Sequence, residues 1–480
     1  MTGRPILPLN IDRRRNASLQ DQLYSSLREQ IQTGQMAPGS VLPSSRDLAV
    51  DLGVSRNTVI AAYDRLAGEG YLETRQRSGI FVSPEFGRQK PAAPAARRAP
   101  LKRRHRIAVT DASTALREPQ PFRLCQPDVR LFPLALWNRL RSRALRRTGH
   151  RLLNYQSTFA LGLPVLRQAL ADYLGESRGV RCDWTQVVIT CGSQEALYLL
   201  SQVLLKPGQS VLLEDPGYPG AKSAFGRAGA VLQSLPVDEL GAIPPEDAAG
   251  VSVIYTTPSR QFPTGACLPA ARRMALIECA RKAKAWLIED DYDSEFRYSR
   301  PPLPAMYSLD QGQRVLYIGS MSKVLFPSLR IGYMVVPPEL LPALEELRLT
   351  LNDHGPLIDQ VTLADFLQSG AFYTHIRRCR KAYEARLDAL LTSVAKHSLP
   401  LTFPHTDGGM NQAGYFTDHR SSAIRVSQRL KDLGFEVPCL ESYTQRPIAP
   451  GLVFGFTAFD PRTISRAVAD IADVIRSKSL

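Results

Sequence analysis

Apolar positions change their period along the chain, and the changes mark its parts. Leu19, Leu23, Leu27 and Ile31 recur at near-helical spacing between Ser18 and Gly34, which predicts an amphipathic helix closed by the glycine. Residues 42–49 and 52–59, with Ala62, Tyr63 and Leu66 beyond them, predict two further helices that join at Gly53. Residues 71–82 then read as a hairpin. From about Pro119 onward, short apolar runs at 187–190, 211–214, 285–288 and 315–318 alternate with helical stretches, one of which opens near Cys191 and runs through Leu204. That alternation predicts an α/β domain with an open, mainly parallel sheet and helices on both faces. Its large lobe would span about 155–337, and residues 348–480 with 119–150 would make a smaller lobe.

Between these regions the periodicity stops. Residues 84–106 are rich in Pro and Ala and hold eight Lys or Arg against Glu85 alone, a net charge of +7. Such a stretch builds no core and reads as a semi-extended tether that attracts polyanions or as an ordinary solvated charge run. The expected organisation is therefore a module at 1–83, a basic linker at 84–118 and a large domain at 119–480. The chain of 480 residues carries +15 overall, yet residues 1–83 hold ten basic and eight acidic side chains, only +2. Seven scattered cysteines without a paired framework suit a reducing cytoplasm, and no apolar run is long enough to cross a bilayer.

In the N-terminal module, a helix, a turn at Gly53 and a second helix opening with Ser55, Arg56, Asn57 and Thr58 would offer polar side chains to a DNA major groove. Arg75 and Arg77 on the hairpin would be placed for phosphates. The block from Gly39 to Val82 resembles a winged helix-turn-helix of the GntR family. That resemblance implies operator DNA as a partner and Arg46, Arg56 and Thr58 as contacts.

The large domain has its own chemistry. Residues 319–333 place Lys323 after an apolar run, among Gly319, Ser320 and Ser322, with Arg330 seven positions later. A lysine that captures a carbonyl must be unprotonated, which neighbouring positive charge or desolvation favours, while serines and an arginine hold a phosphate. Pyridoxal phosphate meets both demands. Upstream, Gly192, Ser193 and Gln194 open a helix whose free N–H groups and dipole favour an anion. Tyr218, in a turn after the 211–214 run, is placed to stack on a ring. Asp290, at the end of the 285–288 run, is placed to pair with a pyridine nitrogen, with Tyr292 close by. Taken alone, the carboxylates at 289–293 also read as a solvated rim or, without a histidine cluster beside them, less readily as a metal site.

The Ser-x-Ser-Lys, seven residues, Arg spacing resembles fold-type-I pyridoxal phosphate enzymes, the aminotransferase fold. The resemblance implies a Schiff base at Lys323 and a Tyr292 hydroxyl on the cofactor's phenolic oxygen. Residues 257–265, Thr-Pro-Ser-Arg-Gln-Phe-Pro-Thr-Gly, are similar to the Asn-Pro-Thr-Gly loop of those enzymes, with Phe262 in place of the asparagine. This longer form, with the N-terminal module, resembles the MocR-type regulators. The resemblance implies a cytoplasmic bacterial transcription regulator, nucleoid-associated when on DNA, that forms a head-to-tail homodimer and responds to an amine, an amino acid or the cofactor itself. A working aminotransferase carrying a DNA-binding module is the rival reading, and a cofactor-free scaffold the third. Where aminotransferases of this fold place a carboxylate-binding arginine, residues 453–456 begin with Val453, so little sustained transamination of common α-amino acids is expected.

Overall fold

The computed structural model describes residues 17–75, 79–84, 119–298, 303–418 and 422–476, in two compact units that divide between Ala115 and Leu116. The linker expected at 84–118 lies outside the described residues apart from Pro84, as does Arg77.

In the N-terminal unit, helices α1 (Leu19–Gln32), α2 (Ser45–Leu52) and α3 (Arg56–Gly68) are followed by strands β1 (Leu72–Arg75) and β2 (Gly79–Val82), which pair antiparallel. Each helix begins at a serine, Ser18, Ser44 or Ser55, whose hydroxyl accepts from an N–H of the first turn and satisfies one of the donors that every helix start leaves open. Gly53 closes α2 with φ +63°, the left-handed conformation that glycine adopts without a Cβ clash, and so sets the turn between α2 and α3. Val59, Ala62, Tyr63 and Leu66 form the buried stripe of α3 and meet Leu23, Leu27 and Ile31 of α1. Val41 makes an isolated antiparallel bridge to Phe81, which ties the segment before α2 to the wing.

The C-terminal unit holds a sheet of eight strands, in chain order β3 (Val187–Thr190), β4 (Ser210–Asp215), β5 (Val231–Asp238), β6 (Gly241–Ala242), β7 (Val251–Thr256), β8 (Trp286–Asp291), β9 (Val315–Ser320) and β10 (Gly332–Val335). Their spatial order is β3-β10-β9-β8-β7-β4-β5-β6. The pairs from β9 across to β5 are parallel, while β10 runs antiparallel to both β3 and β9, and β6 antiparallel to β5. Buried residues lie on both sides of the sheet in two clusters, one including Val187, Ile189 and Leu287, the other Val188, Leu213 and Ile288, so neighbouring positions on one strand serve opposite layers. The smaller lobe carries an antiparallel sheet of β11 (Leu401–Thr402), β12 (Asn411–Phe416) and β13 (Gly451–Gly455). Its long helix, Ala371–Lys396, sends Arg386 to Asp128 at 2.6 Å, and the N–H of Gly455 donates to the Phe122 carbonyl at 2.9 Å, which ties residues 122–128 to this lobe.

Candidate functional site

The strands of the parallel sheet end together, and those ends assemble the site. Lys323 lies just beyond β9 in a one-turn helix, Met321–Val324, and its Nζ lies 3.5 Å from the Cys125 carbonyl. The Ser322 hydroxyl accepts from the Ile331 N–H at 3.2 Å and so fixes the lysine's turn against the start of β10, while Ser320 is the buried last residue of β9.

Helix α4 (Ser193–Leu204) starts beside this turn. Gly192, its N-cap, has φ +97°, and a Cβ there would stand 3.5 Å from both terminal nitrogens of Arg330. Arg330 itself has φ +50° and donates to the Cys191 carbonyl at 2.7 Å. A helix N-terminus and a guanidinium therefore converge, an arrangement suited to a phosphate. Gln194 donates to the Gly220 carbonyl at 3.0 Å, and the Tyr218 hydroxyl lies 3.4 Å from its amide oxygen, which holds the tyrosine turn against the same helix.

The acidic run 289–293 is not a solvated rim. Successive side chains on a strand face opposite sides, and the partners follow that alternation. Glu289 lies 4.0 Å from Arg273 and accepts from the Tyr307 N–H, and Asp291 accepts from Arg178 at 2.8 Å, Tyr317 at 2.7 Å and Ser294 at 2.9 Å. Asp293 sits 3.4 Å from Arg260. Asp290, between them, receives only the Tyr255 hydroxyl, at 2.8 Å on Oδ2, and its buried Oδ1 has no hydrogen-bond partner. Burial pushes Asp290 up to about 7, helped by Asp291 and Glu214 and opposed by the Tyr255 hydrogen bond and Lys323. Burial likewise raises Asp293 to about 6, against Arg260.

Aromatic rings wall the space beside Asp290. Phe262 meets Tyr218, Tyr443 and Tyr292 edge-on, at centroid separations of 5.7, 5.3 and 6.2 Å. Glu214 holds the Phe262 loop in place: its carboxylate accepts from the Thr257 N–H and hydroxyl, and the Thr257 hydroxyl in turn accepts from the Phe262 N–H at 3.0 Å. Phe262 thus fills with a ring the place that the loop's sequence suggested for an amide.

Comparison with known proteins agrees with both units. Residues 19–82 match the bacterial regulatory proteins of the gntR family, and residues 132–430 match aminotransferase class I and II. The chain is 35% identical over 468 residues, 96% of its length and 94% of the relative's, to the probable rhizopine catabolism regulatory protein MocR of Rhizobium meliloti. This chain belongs to the MocR-type regulators. It is also 36% identical over 431 residues, 85% of the chain and 87% of the relative, to the HTH-type transcriptional regulator TauR of Rhodobacter capsulatus. Among solved structures, it resembles kynurenine aminotransferase of Pyrococcus horikoshii (TM-score 0.69, 26% identity, 76% of this chain and 92% of that one). LysN, the α-aminoadipate aminotransferase of Thermus thermophilus, solved with N-(5'-phosphopyridoxyl)-L-leucine, is similar too (TM-score 0.66, 26% identity, 75% and 92%). The regulator is a DNA-binding transcription factor with an aminotransferase-type domain of fold type I.

In its DNA-binding unit, Arg46, Arg56 and Asn57 are exposed around the turn between α2 and α3, and Arg56 Nε donates to the Ser45 hydroxyl at 3.3 Å. Ser55 and Thr58 share a hydrogen bond at 2.8 Å as part of the α3 cap. Arg75 stands exposed on the wing, 4.6 Å over the Phe81 ring.

Several residues of the candidate site went unnoticed in the sequence. Tyr255, the penultimate residue of β7, donates its hydroxyl to Asp290, and the largely apolar run at 251–255, not singled out as a strand from the sequence, was a usable signal. Cys125, Asn411 and Tyr443 come from distant segments and carry no local one. The Cys125 N–H donates to Asn411 Oδ1 at 2.7 Å and Asn411 Nδ2 reaches the thiol at 3.0 Å, while Cys125 keeps φ +52°. Arg260 reaches Thr406, the Gly408 carbonyl and, at 2.7 Å, the Asn411 carbonyl, and thereby pins the smaller lobe to the larger.

Proposed function

We propose that this regulator holds pyridoxal phosphate at the ends of its parallel strands and senses there an amine, an amino acid or the cofactor itself, with a consequent change in how the N-terminal module engages operator DNA. The observation that carries the reading is Asp290: a buried carboxyl oxygen without a hydrogen-bond partner, close enough to Lys323 to feel its charge, suits a cationic ring nitrogen. Lys323 would attach the cofactor covalently, and Gly192, Ser193, Gln194, Ser320, Ser322 and Arg330 would surround its phosphate. Tyr218 would lie against its ring, and Tyr292 would donate to its phenolic oxygen. When bound, the cofactor supplies an electrophilic carbonyl carbon at which one amine can replace another. The chain's own part is to desolvate Lys323, hold Asp290 ionised against the ring and exclude water with Phe262, Tyr218, Tyr292 and Tyr443. A head-to-tail homodimer and an intracellular, DNA-associated location belong to the same proposal.

Binding of the full chain to the promoter region of its own gene, measured with and without pyridoxal phosphate and a panel of amines and amino acids, tests the reading. Effector-dependent affinity is expected, because a ligand shifts a two-state protein only by preferring one state. Lys323→Ala should keep the fold and lose borohydride-fixable cofactor. An adduct on another lysine would move the assignment.

A further inference from the structure

A cavity of about 930 Å³ opens where β5 and β7 end and the smaller lobe meets them. Residues 237–240, at the end of β5 and in the turn beyond it, line it together with 264–267 from the loop after β7 and with 402–408, Gln412 and Tyr415 of the smaller lobe. Crevices at the carboxyl ends of parallel strands and between lobes are where α/β proteins take small molecules, in volumes of roughly 300–1,000 Å³. Lys323, Asp290, Tyr218 and Tyr292 do not line this one. Arg260 does, and its Nε lies 3.4 Å from Asp293, so it belongs to both neighbourhoods.

The guanidinium groups of the lining are already engaged. Arg260 spends its own on Thr406, the carbonyls of Gly408 and Asn411, and Asp293. Arg297 pairs with Asp407 at 3.1 Å, and Asp238 is held by both terminal nitrogens of Arg272 at 2.6 and 2.7 Å. His405 is exposed. Two further groups are uncommitted, and both accept hydrogen bonds. The Glu239 carboxylate is exposed and has no ion-pair partner among the described residues; burial, with the Glu239 charge beside it, raises the Tyr415 phenol. Gln412 is buried and donates its amide N–H to the Pro404 carbonyl at 2.8 Å, while its Oε1 has no hydrogen-bond partner. Around these acceptors the lining is ring and hydrocarbon, from Phe403, Tyr415, Leu240 and Ile448.

We infer that this cavity is a second ligand site, separate from the proposed cofactor site, for a small organic cation: a protonated amine on an aromatic or alkyl body. A buried acceptor without a partner carries a cost that a ligand N–H would relieve. A carboxylate beside aromatic faces favours a cation, and the ligand's body would cover Leu240 and Ile448. An anion would face Glu239 with both lining guanidinium groups already paired. The inference does not depend on the cofactor reading.

The test uses N,N-dimethylphenethylamine, a tertiary amine that is cationic near neutral pH and forms no imine with an aldehyde. In calorimetric titration of the full chain at pH 8, above the ordinary histidine range, it should bind with one-to-one stoichiometry. Its affinity should exceed that of 3-phenylpropionate and of 2-phenylethanol at least ~10-fold, a gap of ~1.4 kcal/mol or more. Binding should be the same with and without pyridoxal phosphate, and the same in Lys323→Ala. Glu239→Lys, a change at an exposed turn, should weaken the amine at least ~3-fold and narrow its lead over 3-phenylpropionate. An anion or alcohol that binds as well as the amine, no saturable binding of the amine up to ~10 mM, or an affinity unmoved in Glu239→Lys overturns the inference. So does an amine that pyridoxal phosphate displaces or that Lys323→Ala no longer binds, since either would put it at the cofactor site instead.

Discussion

Asp290 shows how one residue's surroundings become measurable. Burial lifts its carboxyl from an ordinary 3.8 to about 7, so the folded, cofactor-free chain keeps a proton that the unfolded chain releases between those values. The folded state binds more protons in that window, and this group's contribution to stability therefore falls as pH rises through it. Asp290→Asn removes the titration. The melting temperature of the cofactor-free wild type should drop relative to Asp290→Asn as pH is raised from about 5 to about 8, by the equivalent of ~2–4 kcal/mol at ~1.4 kcal/mol per unit. A difference that stays flat would mean that Asp290 is ionised throughout. Lys323, Arg330, Asp290 and Tyr292 stand out in the sequence as candidates because short local patterns carry them. The isolation of Asp290 could not, since it depends on Arg273, Arg178 and Arg260 reaching its neighbours from distant segments.

At the scale of elements, α3 separates two kinds of contribution. Ser55 caps α3 and shares its hydroxyl with Thr58, whereas Arg56 is exposed and held only by a 3.3 Å contact to Ser45. Ser55→Ala should cost the module ~1 kcal/mol of stability. Arg56→Ala should leave stability nearly unchanged and reduce discrimination between operator and random DNA by ~1–3 kcal/mol if the guanidinium grips a base edge. Thermal melts and competition binding on the two variants check both. Equal losses on operator and random DNA would make Arg56 a phosphate contact. These helices were legible because caps, glycine turns and buried stripes are local signals. The antiparallel entry of β10 between β3 and β9 was not, because four buried residues read alike in either direction.

For the whole molecule the question is which part of the DNA affinity carries information. Residues 1–83 carry only +2, while residues 84–106 carry +7, so if that stretch acts as the expected basic linker, much of the nonspecific attraction should come from it. Counterion release makes that attraction steeply salt-dependent, with a slope of ~0.9 per neutralised phosphate. Replacing Arg97, Arg98, Lys102, Arg103 and Arg104 with glutamine should weaken binding to operator and random DNA alike and flatten the dependence of log affinity on log salt by up to ~4.5. It should leave the effector's fold-change on operator binding intact if, as proposed, that change arises from differential affinity at the site around Lys323 and not from the linker charges. Binding isotherms at several salt concentrations, with and without effector, separate the two effects. An effector response that disappears with the linker charges would make the tether part of the switch rather than a passive anchor.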